Sequence, residues 1–306
     1  MEKDLRLYEG AAAALIFFGN VGLMIPYGGA KSGELTAMII AFLISVGLYY
    51  LCFKGLDIYK RQKSNKIVLY SVGVILTAFS LYVLTKTSWH FINFVSQDVL
   101  IKSHKIFTAF AFLAVCLYAF YKKPEAITKF ALPGLVFVVL SVLILFLISF
   151  DNFNLSHLFP AVIPKSGGFL LRSLKYLYVF FVSPMVFPVF SAFYFKKPSI
   201  KTEITGISVG TGLLVICFLS AVLTFSLGQA ASLQNAYSKS ISVISVGELY
   251  TRMEGIGYFV FFFSALVKTV VSAFSVKALL FTMNIKKSRE ITALLVAGAV
   301  LTAFLL

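Results

Sequence analysis

Apolar runs near twenty residues in length recur from one end of this sequence to the other. Each is long enough to cross ~30 Å of hydrocarbon as a helix. Lipid offers no hydrogen-bond partners, so a spanning run must satisfy its backbone internally, as a helix does. A transmembrane barrel would be built from short alternating segments, and these runs are continuously apolar. The 306 residues are 59% hydrophobic and only 13% charged, with a mean hydropathy of +0.93, too little charge to cover a soluble domain of this length. The sequence therefore predicts an all-α polytopic membrane protein with about nine transmembrane helices. The spans are expected at about 11–27, 35–53, 67–85, 106–121, 130–150, 174–195, 204–228, 255–279 and 291–306. They form a single transmembrane domain over 1–306. No soluble domain of any size remains, so recognition or catalysis has to happen inside the bundle. The mixed-charge start (Glu2, Lys3, Asp4, Arg6) is unlike a cleaved signal peptide, so the first run is expected to stay as a helix.

A formal net charge of +15 suggests nucleic acid at first sight. The lysines and arginines, however, lie almost entirely in short inter-helix connections, which excludes a basic face or domain. Counted over alternate connections, sixteen fall on the side of Lys3, Lys54, Lys122, Lys196 and Lys286, and nine on the side of Lys31, Lys86, Lys165 and Lys239. The richer side is expected to be cytoplasmic, with the N-terminus inside a bacterial cell membrane. The three cysteines (Cys52, Cys116, Cys217) sit in or at the ends of apolar runs and show neither a disulfide framework nor metal spacing. The histidines (His90, His104, His157) fall in expected outer connections without ligand spacing, and no cofactor is implied. Two of those connections, 86–105 and 151–173, mix aromatic and polar residues and are expected to be interfacial or re-entrant segments.

Three places inside the spans invite a site, because a break at membrane depth frees backbone groups that need partners. Gly19-Asn20-Val21-Gly22 in the first span combines two glycines with a polar amide. It reads either as an unwound turn or as a small-residue packing surface. Ser183-Pro184, with Pro188 in the sixth span, reads as a break or as a plain kink. Pro184 lacks a donor and displaces the carbonyl of Phe180, four residues earlier. Lys268 lies sixteen residues into the eighth span from Arg252, roughly 24 Å along the helix. An ammonium at that depth costs ~2.5–3.5 kcal/mol on insertion scales unless it meets a cavity or a partner.

The stretch ISVGELYTRMEGIGYFVFFFSALVKTVVSAF (244–274) resembles a signature of the spore germination B subunits, the permease-like subunits of endospore germinant receptors. In that signature an arginine opens a helix, an acidic residue follows two positions later and a lysine sixteen positions later, as Arg252, Glu254 and Lys268 do. FNLSHLFPAVIPKSGG (153–168) resembles the family's Asn-Leu and Leu-Pro stretch, and LYEGAAAALIFFGNVGLMIPYGGAKSGE its first helix. The chain departs from the pattern at Phe261, where a tryptophan is usual, and near Ser183, where a glutamate is common. It also ends after nine expected spans where ten are usual, so the last helix of a second repeat is missing.

The resemblance implies the amino acid–polyamine–organocation transporter fold, a five-plus-five inverted-repeat bundle, with helices 1–5 in 1–150 and helices 6–9 in 151–306. It implies a nutrient germinant receptor subunit of the spore inner membrane and no enzyme. A small germinant, most naturally an amino acid, would bind at the broken helices one and six. The residues expected there are Gly19, Asn20, Val21, Gly22, Phe180, Phe181, Ser183 and Pro184, with Lys268 setting the electrostatics from helix eight. Partner subunits, a larger membrane-attached protein and a lipoprotein, are implied besides membrane lipid. The alternative on the same scaffold is a free-standing amino acid permease.

Overall fold

The computed structural model of the chain describes residues 2–19, 33–61, 66–96, 104–162, 169–195, 198–233, 236–243 and 254–305, and all the regular structure in them is helical. The helices are α1 (Glu2–Phe18), α2 (Glu34–Arg61), α3 (Lys66–Phe94), α4 (Lys105–Tyr121), α5 (Pro124–Ile148), the short α6 (Leu158–Val162), α7 (Phe169–Leu177), α8 (Val186–Tyr194), α9 (Ile200–Ser232), α10 (Ala236–Ser242), α11 (Glu254–Thr282) and α12 (Ser288–Leu305). Among the described residues, seven stretches are helical, long and apolar enough to span, one of them running through α7 and α8. The shorter α1 and α4 complete nine expected helices. Two boundaries lie nine residues beyond the prediction: α1 begins at Glu2 where the span is expected from 11, and α3 runs on to Phe94 where an end at 85 is expected, which puts Trp89 and His90 inside a helix. By sequence His90 falls in a connection, because a charged residue at membrane depth reads as the end of the run, and that residue is Lys86. Instead its ammonium lies 4.2 Å from the centre of the Trp89 ring, a contact that lets a lysine remain on a membrane helix.

α11 is the most enclosed span, followed by the α7–α8 stretch and α9, whereas α2, α3, α5 and α12 present much of their surface outward. The hydrophobic effect does not drive helices together within lipid, so close packing has to hold them. It is tightest between α1 and α9. A Cβ placed on Gly206 would lie 2.3 Å from the carbonyl oxygen of Gly10, and one on Gly210 would lie 2.5 Å from that of Ala14. The glycines four apart on α9 thus seat its backbone against the small face Gly10–Ala14 of α1. The pairing of 206 with 10 and 210 with 14 means that the two helices run in the same direction.

α2 lies along the sixth span in a ladder of polar contacts. Tyr176 donates from its hydroxyl to Glu34 (2.6 Å), Tyr49 donates to the carbonyl of Phe181 (3.1 Å), and the Lys60 ammonium donates to the carbonyl of Ala192. α3 and α11 run antiparallel, meeting at Gly73 with Met283 at one end and at Phe91 and Phe94 with Phe261 at the other.

The connection after α5, where an interfacial or re-entrant segment is expected over 151–173, is folded over its described residues 149–162, and α7 begins at Phe169. It makes single 3₁₀ turns at Ser149–Asn152 and Leu155–His157 before α6. Its partner is a break in α9, where Ser226 adopts φ 67° and ψ 162°, a region that residues with a Cβ rarely enter. Breaking the helix there frees the Leu223 carbonyl from its intrahelical donor. The backbone N–H of Asn154 (3.0 Å) and the ring Nδ1 of His157 (3.1 Å) take it up.

Candidate functional site

The end of α1, a distortion of the sixth span and one buried cation meet inside the bundle. α1 ends at Phe18, and Gly19 forms the turn after it, its N–H donating to the Leu15 carbonyl at 2.8 Å. A Cβ on Gly19 would lie 3.3 Å from Cδ of Lys268 and 3.3 Å from the Ser264 carbonyl oxygen, so α1 ends directly against α11. Lys268 is 1% exposed, and its ammonium donates to the hydroxyl of Ser183 at 2.5 Å. Residues predicted from three separate stretches of sequence, Gly19, Ser183 and Lys268, are therefore neighbours. Asn20, Val21 and Gly22, and the Arg252 of the helix-eight pattern, lie outside the described residues.

The sixth span is distorted where Ser183-Pro184 predicts it, but it does not unwind. Between α7 and α8 the backbone widens to one π turn, Tyr178–Val182, and then tightens to a 3₁₀ turn, Ser183–Met185. Ser183 keeps helical angles, and its N–H donates five residues back, to Tyr178. Adding one residue to the turn ahead of the proline relieves the ring clash with the preceding turn without opening the helix. The carbonyl taken up by another helix is consequently that of Phe181, and not the Phe180 carbonyl expected from a simple proline kink. Tyr49 of α2 donates to it. Phe180 is fully buried against Phe42 (6.3 Å between ring centres), while Phe181 is half-buried against Tyr49 (5.5 Å). Pro184 is buried, and Ser275 of α11 donates to the Val186 carbonyl (3.1 Å), a second tie between α11 and the distorted span.

Several polar residues around this centre were not singled out in the sequence. Tyr49 is 3% exposed and packs on Phe17 at the end of α1 (5.7 Å) as well as on Phe181. His90 of α3 lies close enough to Lys268 to interact with it electrostatically, and its buried Nε2 makes no hydrogen bond. Phe261, standing where the family usually has tryptophan, fills the α3–α11 contact, stacked on Phe91 (6.3 Å, 10°). Ten residues before Gly19, Glu9 is buried where α1 meets α8 and α9, and it accepts from the Ser191 hydroxyl at 3.0 Å. α1 passes from Glu9 to Gly19 as the sixth span passes from Ser191 back to Ser183, so the two run antiparallel, as alternate crossing requires. The sequence signal for these contacts was the pair of small faces, Gly10–Ala14 and Gly206/Gly210, which mark α1 and α9 as partners.

Among solved structures, the chain is similar to a Na+-coupled sialic acid symporter in its substrate-bound outward-open state. The match covers 97% of this chain and 72% of that one, with a TM-score of 0.59 at 12% identity. At that identity the likeness is one of fold, the inverted-repeat fold of membrane transporters. No curated protein matches the chain by sequence. The family model described as spore germination protein matches residues 35–306, from the first turn of α2 to the end of the sequence. With the helix-eight lysine seated against the sixth-span interruption, and with that match covering most of its length, the chain belongs to the spore germination protein family.

Proposed function

We propose that this transporter-like membrane protein is a nutrient germinant receptor subunit of the spore inner membrane. Its N-terminus is cytoplasmic, and it binds a small germinant, an amino acid, where α1 ends beside the sixth-span distortion. The observation that carries this is the meeting of Gly19, Ser183 and a fully buried Lys268. A buried ammonium is retained against its desolvation only where it has partners or work to do. Here it joins the end of α1 to the distorted turn of the sixth span, so a ligand that reorganises either place also alters the hold of α11. The residues assigned to ligand binding are Gly19, Asn20, Val21 and Gly22 with Phe180, Phe181, Ser183 and Pro184. Phe180 and Phe181 shape the apolar part of the site, and backbone N–H and carbonyl groups at the helix ends receive the carboxylate and ammonium of the ligand. Helices 1–5 (1–150) and 6–9 (151–306) form the two repeats. Ligand binding shifts the bundle between states and passes the shift to a larger membrane-attached subunit and a lipoprotein.

The test is germination of spores carrying Lys268→Ala, challenged with a mixture of the twenty amino acids. Loss of response with normal amounts of the protein in the inner membrane is expected, and an undiminished response would remove Lys268 from the mechanism. Copurification from spore membranes decides the assembly. Recovery with a large subunit and a lipoprotein supports the receptor, whereas recovery alone, with amino acid counterflow in liposomes, would identify a free-standing permease.

A further inference from the structure

At the end of the bundle where α1 begins, two carboxylates from different halves of the chain are buried close together. Glu9 is 2% exposed and Glu203 is 3% exposed. Glu9 Oε1 accepts from the Ser191 hydroxyl at 3.0 Å and from the backbone N–H of Ser199 at 3.4 Å. Ser191 is itself fully buried, and the close approach of Gly206 to the Gly10 carbonyl brings Glu203, three residues before it on α9, near enough to Glu9 for the two carboxylates to interact electrostatically. Glu203 Oε1 makes no hydrogen bond at all. At Gly10, the residue after Glu9, and Gly206, one turn after Glu203, the backbones of α1 and α9 are in contact.

The donor count is what identifies the ligand. A serine hydroxyl has one proton to give, and Ser191 gives it to Glu9. No serine proton is left for Glu203, whose Oε1 is buried without a donor, and a carboxyl oxygen so placed is tolerated only when the group is neutral. The alternative is two buried like charges, one of them with a bare oxygen, a strongly disfavoured arrangement. We propose that Glu9 and Glu203 form a proton-binding site, in which one proton resides on Glu203 beside an ionised Glu9 held by Ser191.

The surroundings assign the roles. Arg6, one turn earlier on α1, is exposed and attracts Glu9, which together with the Ser191 and Ser199 donors makes Glu9 the better-held anion. The elements packed around the pair carry further titratable or charged groups. Tyr49 of α2 interacts electrostatically with Glu203; Lys60 of α2 and Tyr194 of α8 are engaged with the carbonyls of Ala192 and Phe274; Lys201 of α9 and Lys129 of α5 are exposed. Glu125 of α5 stands in the first turn of its helix, and Lys277 of α11 lies against the Phe120 and Phe274 rings. The pair lies about 15 Å along α1 from Gly19, which makes it separate from the Lys268 centre. Deprotonation leaves two charges facing across the α1–α9 contact and favours their separation, so proton release is linked to parting of α1 from α8 and α9. This inference concerns proton binding alone and stands whether the chain is a receptor subunit or a permease.

Infrared spectroscopy of the purified full-length chain in nanodiscs reads the site directly. The wild type at neutral pH is expected to carry a protonated-carboxyl C=O band, shifted in D2O, that is lost in Glu203→Gln; a signal from Glu34 would persist in both. In Glu9→Gln the pH at which the Glu203 band disappears is expected to fall by about one unit or more, because the facing charge is gone. No wild-type-minus-Glu203→Gln difference at neutral pH overturns the proposal, as does an unchanged midpoint in Glu9→Gln. Suppression of the band by sodium chloride but not by choline chloride would make this a metal-cation site and also overturn it. Should a variant fail to fold, labelling of the wild type with dicyclohexylcarbodiimide, which attacks buried protonated carboxyls, decides the matter. An adduct on Glu203 supports the site, and none on either glutamate refutes it.

Discussion

Gly206→Ala tests the packing on which everything at the inner end of α1 rests. The new methyl would lie 2.3 Å from the Gly10 carbonyl oxygen and 2.8 Å from the Ala13 Cβ. Neither neighbour can swing aside, since one is backbone and the other is fixed to it. Restoring an ordinary contact requires α1 and α9 to part by about 1 Å or more. Overpacking of this kind costs ~1–3 kcal/mol, occasionally more, against a gain of ~0.5–1 kcal/mol for alanine over glycine in a helix. The net expectation is a loss of about 1 kcal/mol, roughly a 5-fold change in the folding equilibrium. Gly212→Ala is the matched control on the same helix, where an added Cβ meets nothing within 4 Å, and it should be neutral or slightly stabilising. Unfolding in mixed micelles titrated with sodium dodecyl sulfate, followed by the fluorescence of the single tryptophan, Trp89, compares the two. Equal stability of Gly206→Ala and wild type, or an equal loss in Gly212→Ala, would refute the close α1–α9 approach.

Other outcomes follow from single contacts. Tyr49→Phe keeps both ring contacts but leaves the Phe181 carbonyl without its α2 donor, so a loss of ~1–3 kcal/mol is expected in the same assay. His157→Ala removes one of the two groups that take up the Leu223 carbonyl at the Ser226 break. It should increase hydrogen exchange at residues 223–230 while leaving α11 unchanged. Lys268→Met removes the buried ammonium while filling its volume. It should leave stability equal or raised, by up to ~3 kcal/mol, and still abolish the germination response, separating function from folding.

Much of the site was legible because charges and prolines at membrane depth are exceptional. Lys268 and Ser183-Pro184 stand out against apolar neighbours, and the fold brings them within one hydrogen bond of each other. Glu9 and Glu203 were not legible, because each lies within about a turn of charged residues at the end of an apolar run, where a solvated carboxylate is ordinary. Only the packing of α1 against α8 and α9 shows that the two lie close together, with Ser191 holding Glu9. Likewise, Lys86 reads as the end of a helix, and it took the neighbouring Trp89 ring to keep α3 running to Phe94.

The sequence by itself determined that this chain is a bundle of membrane-spanning helices. A twenty-residue apolar run has one way to satisfy its backbone in lipid, and that requirement is local to the run. It also determined where two of the spans are disturbed, since glycine and proline act on their own turns. What only the tertiary structure decided is how those disturbances are resolved and which polar groups share an interior. Pro184 produces a π turn followed by a 3₁₀ turn, held by Tyr49 and Ser275 from two other helices, and does not open the chain. The hydrogen bonds of a buried side chain depend on residues far away in sequence, 85 positions from Ser183 to Lys268 and 182 from Glu9 to Ser191. Neither pairing is set by the local preferences of the segments it joins.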